Sequence, residues 1–235
     1  MNRRLMLHAG GDISSAGDQI IEHFRGVRRA VMVPWAVRDG DRVVTRFNDR
    51  FAGRGLEVTG LHTAPNPAAS LAEADAIIVS GGNSFRLVAA LHRFHLIDTV
   101  RSAIVGGIPY FGASAGANVA SPTIRTTNDM PIVQPPSFAA FGLVPFQINP
   151  HYIDPPPPEA RIGETREERL QEFLEENHVT VVALREQSWL VVNDSTMSLH
   201  GTGGALLFRR GSVPEAVAGG ADLSSLLLEA PQYDA

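Results

Sequence analysis

The 235-residue sequence contains no cysteine, no apolar run of membrane-spanning length and no cluster of basic residues. The lack of cysteine excludes disulfides, thiolate nucleophiles and cysteine-based zinc sites. The formal net charge is −5 and neither half has a run of Lys or Arg, which argues against nucleic acid or an anionic membrane as a partner. The N-terminal segment MNRRLMLHAGGD has too short an apolar run for a signal peptide. We therefore expect a cytoplasmic protein.

What the sequence does contain is an alternation of short apolar runs with amphipathic segments of helical length. Strands are expected at residues 4–8, 30–34, 56–61, 74–80, 109–111, 143–148, 179–184 and 189–192, and helices at 16–24, 41–52, 85–92 and 97–105. This alternation is typical of a mostly parallel sheet with helices on both faces. Short strands and turns after residue 188 indicate a small antiparallel C-terminal portion, including a hairpin turn at 201–204. We predict an α/β fold in one domain, residues 1–235.

The segment GASAG at residues 112–116 follows an apolar run and fits the pattern G-x-S-x-G. In this pattern a strand turns sharply into a helix and exposes a serine hydroxyl at the turn. Open α/β sheets bind ligands at that edge. The residues also fit a tight strand–helix junction or a phosphate cradle without chemistry. Ser114 is therefore a candidate nucleophile, which needs a base, a group that orients the base, and oxyanion donors.

Of the eight histidines, His151 has the most suitable position for the base. It follows the expected strand 143–148, and Pro150 restricts the backbone of the segment that leads to it. It is therefore expected at the C-terminal edge of a sheet, as Ser114 is. His8 and His62 also follow expected strands, so they remain alternatives on position alone.

Gly82 and Ala115 are candidate oxyanion donors. Gly82 belongs to a glycine pair that follows the clearest buried strand, 74–80. Glycine lets a backbone amide face a site without an intervening side chain. With the amide of Ala115, directly after Ser114, it would form a two-donor oxyanion hole. The glycine pair also fits an ordinary strand-to-helix turn.

Four separated segments closely resemble peptidase E, the aspartyl dipeptidase family. They are SAGAN at 114–118, TIRTTNDMPI at 123–132, QINPH at 147–151 and GETRE at 163–167, and the turn GGNSF at 81–85 is similar as well. The resemblance covers most of residues 74–192; earlier residues match mainly in layout, and about the last forty match weakly. It implies a flavodoxin-like fold similar to class I glutamine amidotransferases. It also implies hydrolysis of dipeptides with an N-terminal aspartate, without a metal or cofactor.

Carried over by position, the resemblance makes Ser114 the nucleophile, His151 the base, and Gly82 and Ala115 the oxyanion donors. The expected partner is a small Asp-Xaa peptide, bound by a monomer or homodimer.

The resemblance leaves two carboxylates as the third catalytic member. Glu186 matches the family's glutamate just past a strand end, whereas Asp129 lies in a loop that matches the family closely. We favour Glu186, because a carboxylate at a strand end is held more rigidly than one in a loop. Asp129 could instead bind the substrate's ammonium group. The family has proline and glycine where this chain has Arg185 and Gln187, so the local turn is expected to differ.

Arg166 is the candidate for substrate specificity. Residues 165–168, TREE, fit a capping box that opens a helix, and Arg166 lies in its first turn, where the helix dipole disfavours a cation. Such a cation makes sense if an anion binds there, although a surface arginine paired with a glutamate is the simpler interpretation of the residues alone. The resemblance implies that Arg166 binds the aspartate side chain. Asn83, in the glycine turn, is a further candidate for substrate binding.

Two other functions remain possible at this point. Cyanophycinases have a similar fold and serine motif and cleave bonds to the β-carboxylate of aspartate in an aspartate–arginine polymer. The close match at 123–132 and 163–167 favours the dipeptidase. A non-catalytic module that binds a small metabolite at the sheet edge is the alternative from a different class.

Overall fold

The computed structural model describes residues 3–233. Its helices are α1 (Gly17–His23), α2 (Gly40–Arg50), α3 (Pro67–Ala72), α4 (Ser84–Arg93), α5 (Ile97–Val105), α6 (Ala115–Asn118) and α7 (Arg166–Glu176). Its strands are β1 (Arg4–His8), β2 (Ala30–Val33), β3 (Val58–Gly60), β4 (Ala76–Val79), β5 (Tyr110–Ala113), β6 (Gln147–Tyr152), β7 (Asn177–His178), β8 (Val181–Arg185), β9 (Ser188–Asn193), β10 (Thr196–Gly201), β11 (Ala205–Phe208), β12 (Glu215–Val217) and β13 (Gln232–Tyr233).

The main sheet has seven strands in the order β10-β9-β1-β5-β4-β2-β3. Strands β1 to β5 are parallel to one another, whereas β9 and β10 are added at one edge, with β9 antiparallel to both β1 and β10. The parallel strands read as continuous apolar runs because helices cover both faces. The predicted mostly parallel α/β fold is confirmed.

The carboxyl ends of β1, β4 and β5 are neighbours at one edge of this sheet, because β5 lies between the other two. The residues that follow these strands are therefore brought together, although His8 at the end of β1 and Ala113 at the end of β5 are 105 positions apart along the chain.

A second sheet of four strands has the order β12-β11-β8-β6. Strands β6 and β8 are parallel, and β11 is antiparallel to both of its neighbours. A third sheet pairs β7 with β13. The C-terminal portion is thus divided between an edge of the main sheet and a second sheet, which the sequence pattern did not indicate.

Alternate side chains of the main sheet enter two separate apolar cores. Leu7 and Val79 pack on one face with Leu87 of α4, whereas Met32 and Phe111 pack on the other with Phe47 of α2. All of these side chains are buried. Burying one side chain of this size contributes about 1.5–3 kcal/mol. The two cores hold helices against both faces of the sheet.

Most predicted elements agree with the structure, and the exceptions are informative. Strand β1 and helix α5 have the predicted bounds. Strand β6 begins at Gln147 rather than at residue 143, so His151 lies inside a strand instead of after one. Helix α3 has no counterpart among the predictions. The glycines at 201–204 connect β10 to β11, which belong to different sheets, so the predicted hairpin turn is wrong.

Within residues 3–233, no helix has both the length and the apolar character needed to cross a membrane.

Candidate active site

Ser114 occupies the turn between β5 and α6 in a strained backbone conformation, with φ 56° and ψ −111°. A side chain at Gly112 would meet the carbonyl oxygen of Gly116 at 2.3 Å, and one at Gly116 would meet that of Val79 at 2.2 Å. The motif therefore needs both glycines for close packing of strand and helix. The Ser114 amide donates to the carbonyl oxygen of His8 (3.0 Å), which ties the turn to β1.

His151 lies beside this serine although it belongs to the second sheet. Its Nε2 is 2.7 Å from Ser114 Oγ. The register of β6 against β8 shifts between Asn149 and Tyr152, so His151 sits on a β-bulge, with φ 55°. Bulges redirect side chains in this way, often beside active sites. The residue before it, Pro150, accepts a hydrogen bond from Asn128 Nδ2 at 2.7 Å.

Glu186 lies on the other side of the same imidazole, in the turn between β8 and β9. Its Oε1 is hydrogen-bonded to His151 Nδ1. An ionised carboxylate can only accept, so Nδ1 carries the proton and the Nε2 lone pair of the neutral imidazole faces the Ser114 hydroxyl. A serine, an imidazole and a carboxylate are thus joined by two hydrogen bonds, in the chain order Ser, His, Glu.

Asp129 is placed elsewhere. Its carboxylate accepts from the backbone amide of Ser84 (2.7 Å) and from Thr127 Oγ1 (3.0 Å). It therefore ties the first turn of α4 to the loop between α6 and β6, in which Asp129 and Thr127 lie. Within the described chain, the hydrogen-bonded carboxylate partner of His151 is Glu186.

Gly82 and Ala115 lie on two turns that meet at Ser114. The neighbour of Gly82, Gly81, is close enough that a Cβ there would be 3.2 Å from Ser114 Cβ and 3.7 Å from its Oγ. Gly82 has φ 136°, and a Cβ at this position would meet the carbonyl oxygen of Ala36 at 2.5 Å. Neither the Gly82 nor the Ala115 amide donates to a backbone carbonyl among the loops and turns described. The two amides therefore stay the predicted oxyanion donors.

Arg166 is the first residue of α7, after a capping box in which Thr165 and Glu168 bond reciprocally. Its guanidinium is half-buried, and its Nη1 is buried without a hydrogen-bond partner among residues 3–233. Burial lowers the pKa of Arg166, Arg169 lowers it further, and Glu186 acts in the opposite direction. A desolvated cation with an unpaired nitrogen, near Glu186, is suited to binding an anion.

Asn83 has two structural partners. Its Oδ1 accepts from the Arg86 amide (3.0 Å) and so caps α4, and its Nδ2 donates to the carbonyl oxygen of Met130 (2.8 Å). These contacts hold the 81–85 turn against the loop of Asp129. The side chain therefore supports the site through the backbone that it fixes.

The two alternative histidines have other surroundings. His62 contacts Asp41 at 3.0 Å on an exposed part of the molecule. His8 is fully buried and stacks on Trp189, and its Nδ1 accepts from the Gly10 amide at 3.0 Å. Burial lowers the pKa of His8 to about 4.

Sequence reasoning missed Gly10 and Gly11, which follow β1. Gly10 has φ 117°, and a Cβ there would be 2.3 Å from His151 Cε1. A Cβ on Gly11 would be 2.2 Å from Glu186 Oε2. The backbone of this glycine pair thus covers the His151–Glu186 pair. The sequence does contain an indication of this turn, because a glycine pair follows a buried strand here just as it does at residues 81–82.

The fold and these three side chains define a class of α/β proteins with a serine, a histidine and a carboxylate at the carboxyl edge of the sheet. The model of peptidase family S51 matches residues 5–200 of this chain. The chain belongs to peptidase family S51 and is a serine peptidase. It is 51% identical over 227 residues to peptidase E of Streptomyces coelicolor, covering 97% of this chain and 93% of that protein.

Two further comparisons concern a curated relative and a solved structure. The probable alpha-aspartyl dipeptidase of Drosophila melanogaster is 42% identical over 224 residues, covering 94% of this chain and 93% of that protein. The crystal structure of a peptidase from an acI-B1 actinobacterium superposes with a TM-score of 0.69 at 17% identity, covering 95% of this chain and 97% of that one. At this low identity the second comparison supports the fold alone.

Proposed function

We propose that this protein hydrolyses dipeptides that carry an N-terminal aspartate, with Ser114 as nucleophile. The observation that carries the proposal is the pair of hydrogen bonds that joins Ser114, His151 and Glu186. The name of the Drosophila melanogaster relative, a probable alpha-aspartyl dipeptidase, supports the choice of substrate.

The chemistry follows from the positions of these groups. His151 Nε2 takes the Ser114 proton as Oγ attacks the peptide carbonyl carbon, and Glu186 stabilises the imidazolium through Nδ1. The amides of Gly82 and Ala115 stabilise the oxyanion, each contributing about 3 kcal/mol to transition-state stabilisation. His151 then protonates the leaving amine, and a water molecule, activated by the same imidazole, hydrolyses the acyl-enzyme.

Arg166 accounts for the preference for aspartate. Its unpaired guanidinium nitrogen would donate to the substrate's side-chain carboxylate. This hydrogen bond would replace the one to water that the buried nitrogen has lost. Asparagine has no charge to pair with this group, so the site is expected to discriminate strongly between the two residues.

The test compares Asp-Leu, Asn-Leu and an aspartate–arginine polymer as substrates. Asp-Leu is expected to be cleaved fastest, and Ser114→Ala is expected to lose roughly 10⁴-fold or more in kcat while remaining folded. Arg166→Met is expected to reduce the Asp-over-Asn preference by about 10-fold to 100-fold. Preferential cleavage of the polymer would contradict the dipeptidase assignment.

Labelling with a fluorophosphonate probe separates catalysis from simple binding. The wild-type protein is expected to be labelled at Ser114, and Ser114→Ala to remain unlabelled. A folded wild-type protein that does not react with the probe would overturn the proposed nucleophile.

A further inference from the structure

An ion pair outside the proposed catalytic machinery lies next to both His151 and Glu186 along the chain. Arg185 directly precedes Glu186, and Asp154 comes three residues after His151. Arg185 Nε donates to Asp154 Oδ2 at 2.8 Å and its Nη2 to Oδ1 at 2.6 Å. Such a bidentate arrangement fixes orientation as well as distance. The pair therefore connects the segment that carries the base to the segment that carries its carboxylate.

The strand geometry shows why this connection matters. Asn149 pairs with Ala183, and the next pairing along the strands is Tyr152 with Arg185. Two residues of β6, including His151, thus face one residue of β8. A bulged residue lacks the regular ladder hydrogen bonds, so its orientation depends on how both ends of the bulge are held.

The N-terminal end of the bulge is held by the neighbouring loop. Asn149 Nδ2 donates to the carbonyl oxygen of Thr126 at 2.8 Å, and Asn128 Nδ2 donates to that of Pro150 at 2.7 Å.

The C-terminal end is held through Arg185. This residue pairs with Tyr152 in the ladder, its guanidinium lies 5.9 Å from the centre of the Tyr152 ring, and it binds Asp154. The Arg185 side chain is only 26% exposed, whereas that of Asp154 is 56% exposed. An exposed ion pair contributes about 0–1 kcal/mol to stability, so its main effect is expected in geometry rather than in folding.

We propose that the Arg185–Asp154 ion pair is a positioning clamp that holds the His151 bulge at hydrogen-bonding distance from Glu186. This inference rests on the proposed function of His151 and Glu186. Neither clamp residue is a catalytic residue, because each acts through the backbone that it fixes. Loss of the clamp would let Glu186 and His151 separate, which weakens stabilisation of the imidazolium and misorients Nε2 toward Ser114.

The experiment compares Arg185→Met, Asp154→Asn and the double variant with the wild-type enzyme, using Asp-Leu hydrolysis. Each single variant is expected to lower kcat by about 10-fold to 100-fold with less than about a 3-fold change in KM, because displacement of a catalytic group affects the chemical step. The double variant is expected to lose no more than either single variant, because the two substitutions break the same interaction. Arg185→Lys keeps the charge but not the planar fork, and an intermediate kcat is expected.

The pH profile of kcat/KM separates positioning from a simple change of charge. Arg185→Met removes a positive charge and Asp154→Asn removes a negative charge, so a long-range field would move the acidic limb in opposite directions. Loss of the clamp separates the imidazole from Glu186 in both variants. The acidic limb is therefore expected to move to lower pH in Arg185→Met and in Asp154→Asn alike. His8, Arg166 and Glu186, which also act electrostatically in this region, are unchanged in all of these variants.

Arg209→Met is the matched control, because it breaks another surface ion pair: Arg209, just after β11, contacts Glu215 of β12 at 3.0 Å. Wild-type kinetics are expected from it. The clamp would be overturned if the single clamp variants kept a kcat within 2-fold of wild type. It would also be overturned if the acidic limbs of the two variants moved in opposite directions. An inactive wild-type enzyme, or an active Ser114→Ala, would instead overturn the proposed function, so the two failures are distinguishable.

Discussion

At the scale of single residues, backbone strain is concentrated around the candidate site. Five non-glycine residues among 3–233 have positive φ, and three of them are Ser114, His151 and Gln187, which follows Glu186. Each such residue costs on the order of 1 kcal/mol or more, which the surrounding structure must offset. The cost is understandable here, because the strain directs the hydroxyl and the imidazole toward each other.

Gly10 provides a test of how tightly the site is enclosed. Gly10→Ala is expected to lower kcat by about 100-fold or more, because its Cβ would be 2.3 Å from His151 Cε1 and would displace the ring. Peptidase assays measure the loss of kcat, and thermal unfolding measures separately how much stability the variant loses.

The matched control is Gly220→Ala, where φ is 93° but nothing lies within 4 Å of the added Cβ. It carries a backbone cost of the same kind, about 1 kcal/mol, without contact to the site. If Gly10→Ala were as active as Gly220→Ala, the glycine would not be needed to seat His151.

At the scale of elements, the site depends on how one helix begins and how one strand bulges. The capping box of α7 was correctly predicted from residues 165–168, because its reciprocal hydrogen bonds are local. The bulge in β6 was not predicted, because it exists only relative to β8, more than 30 positions away along the chain.

Thr165 links the stability of α7 to the position of Arg166. Thr165→Ala is expected to reduce the free energy of unfolding by about 1 kcal/mol through loss of the N-cap. It is also expected to raise KM for Asp-Leu more than it changes kcat, because the first turn carries Arg166. Urea unfolding and steady-state kinetics would check the two parts.

Asn66→Ala is its control, since Asn66 caps α3 by accepting from the Ala69 amide at 3.1 Å. It is expected to cost similar stability with unchanged KM. An unchanged KM in Thr165→Ala as well would show that the cap does not position Arg166.

At the scale of the whole molecule, the two sheets bring the candidate site together, and buried histidines link the stability of the fold to pH. His23, in the last turn of α1, is buried, and its Nε2 donates to the carbonyl oxygen of Tyr110 at 3.0 Å. Burial lowers the pKa of both His8 and His23 to about 4. The helix and the sheet are thus joined through a neutral imidazole.

Stability is therefore expected to fall between pH 6.5 and 4. The unfolded chain binds protons at these histidines near pH 6.5, whereas the folded chain does not until about pH 4. The stabilisation is fully present above pH 6.5 and is lost progressively below it, on the order of 3 kcal/mol for each histidine by pH 4. His23→Gln keeps a donor for Tyr110 and is expected to show a weaker dependence of the unfolding free energy on pH. If the unfolding free energy depended on pH identically in the wild type and in His23→Gln, His23 would not be a source of this pH dependence.

The sequence by itself determined the parallel strands, the serine turn, the capping box and the family resemblance. These depend on apolar periodicity and on residues that are close along the chain. The tertiary structure alone decided that Glu186 rather than Asp129 contacts His151, that Gly10 and Gly11 cover this pair, and that Arg185 binds Asp154. These contacts form between strands whose relative register and placement are set by packing of two sheets, which no local pattern encodes.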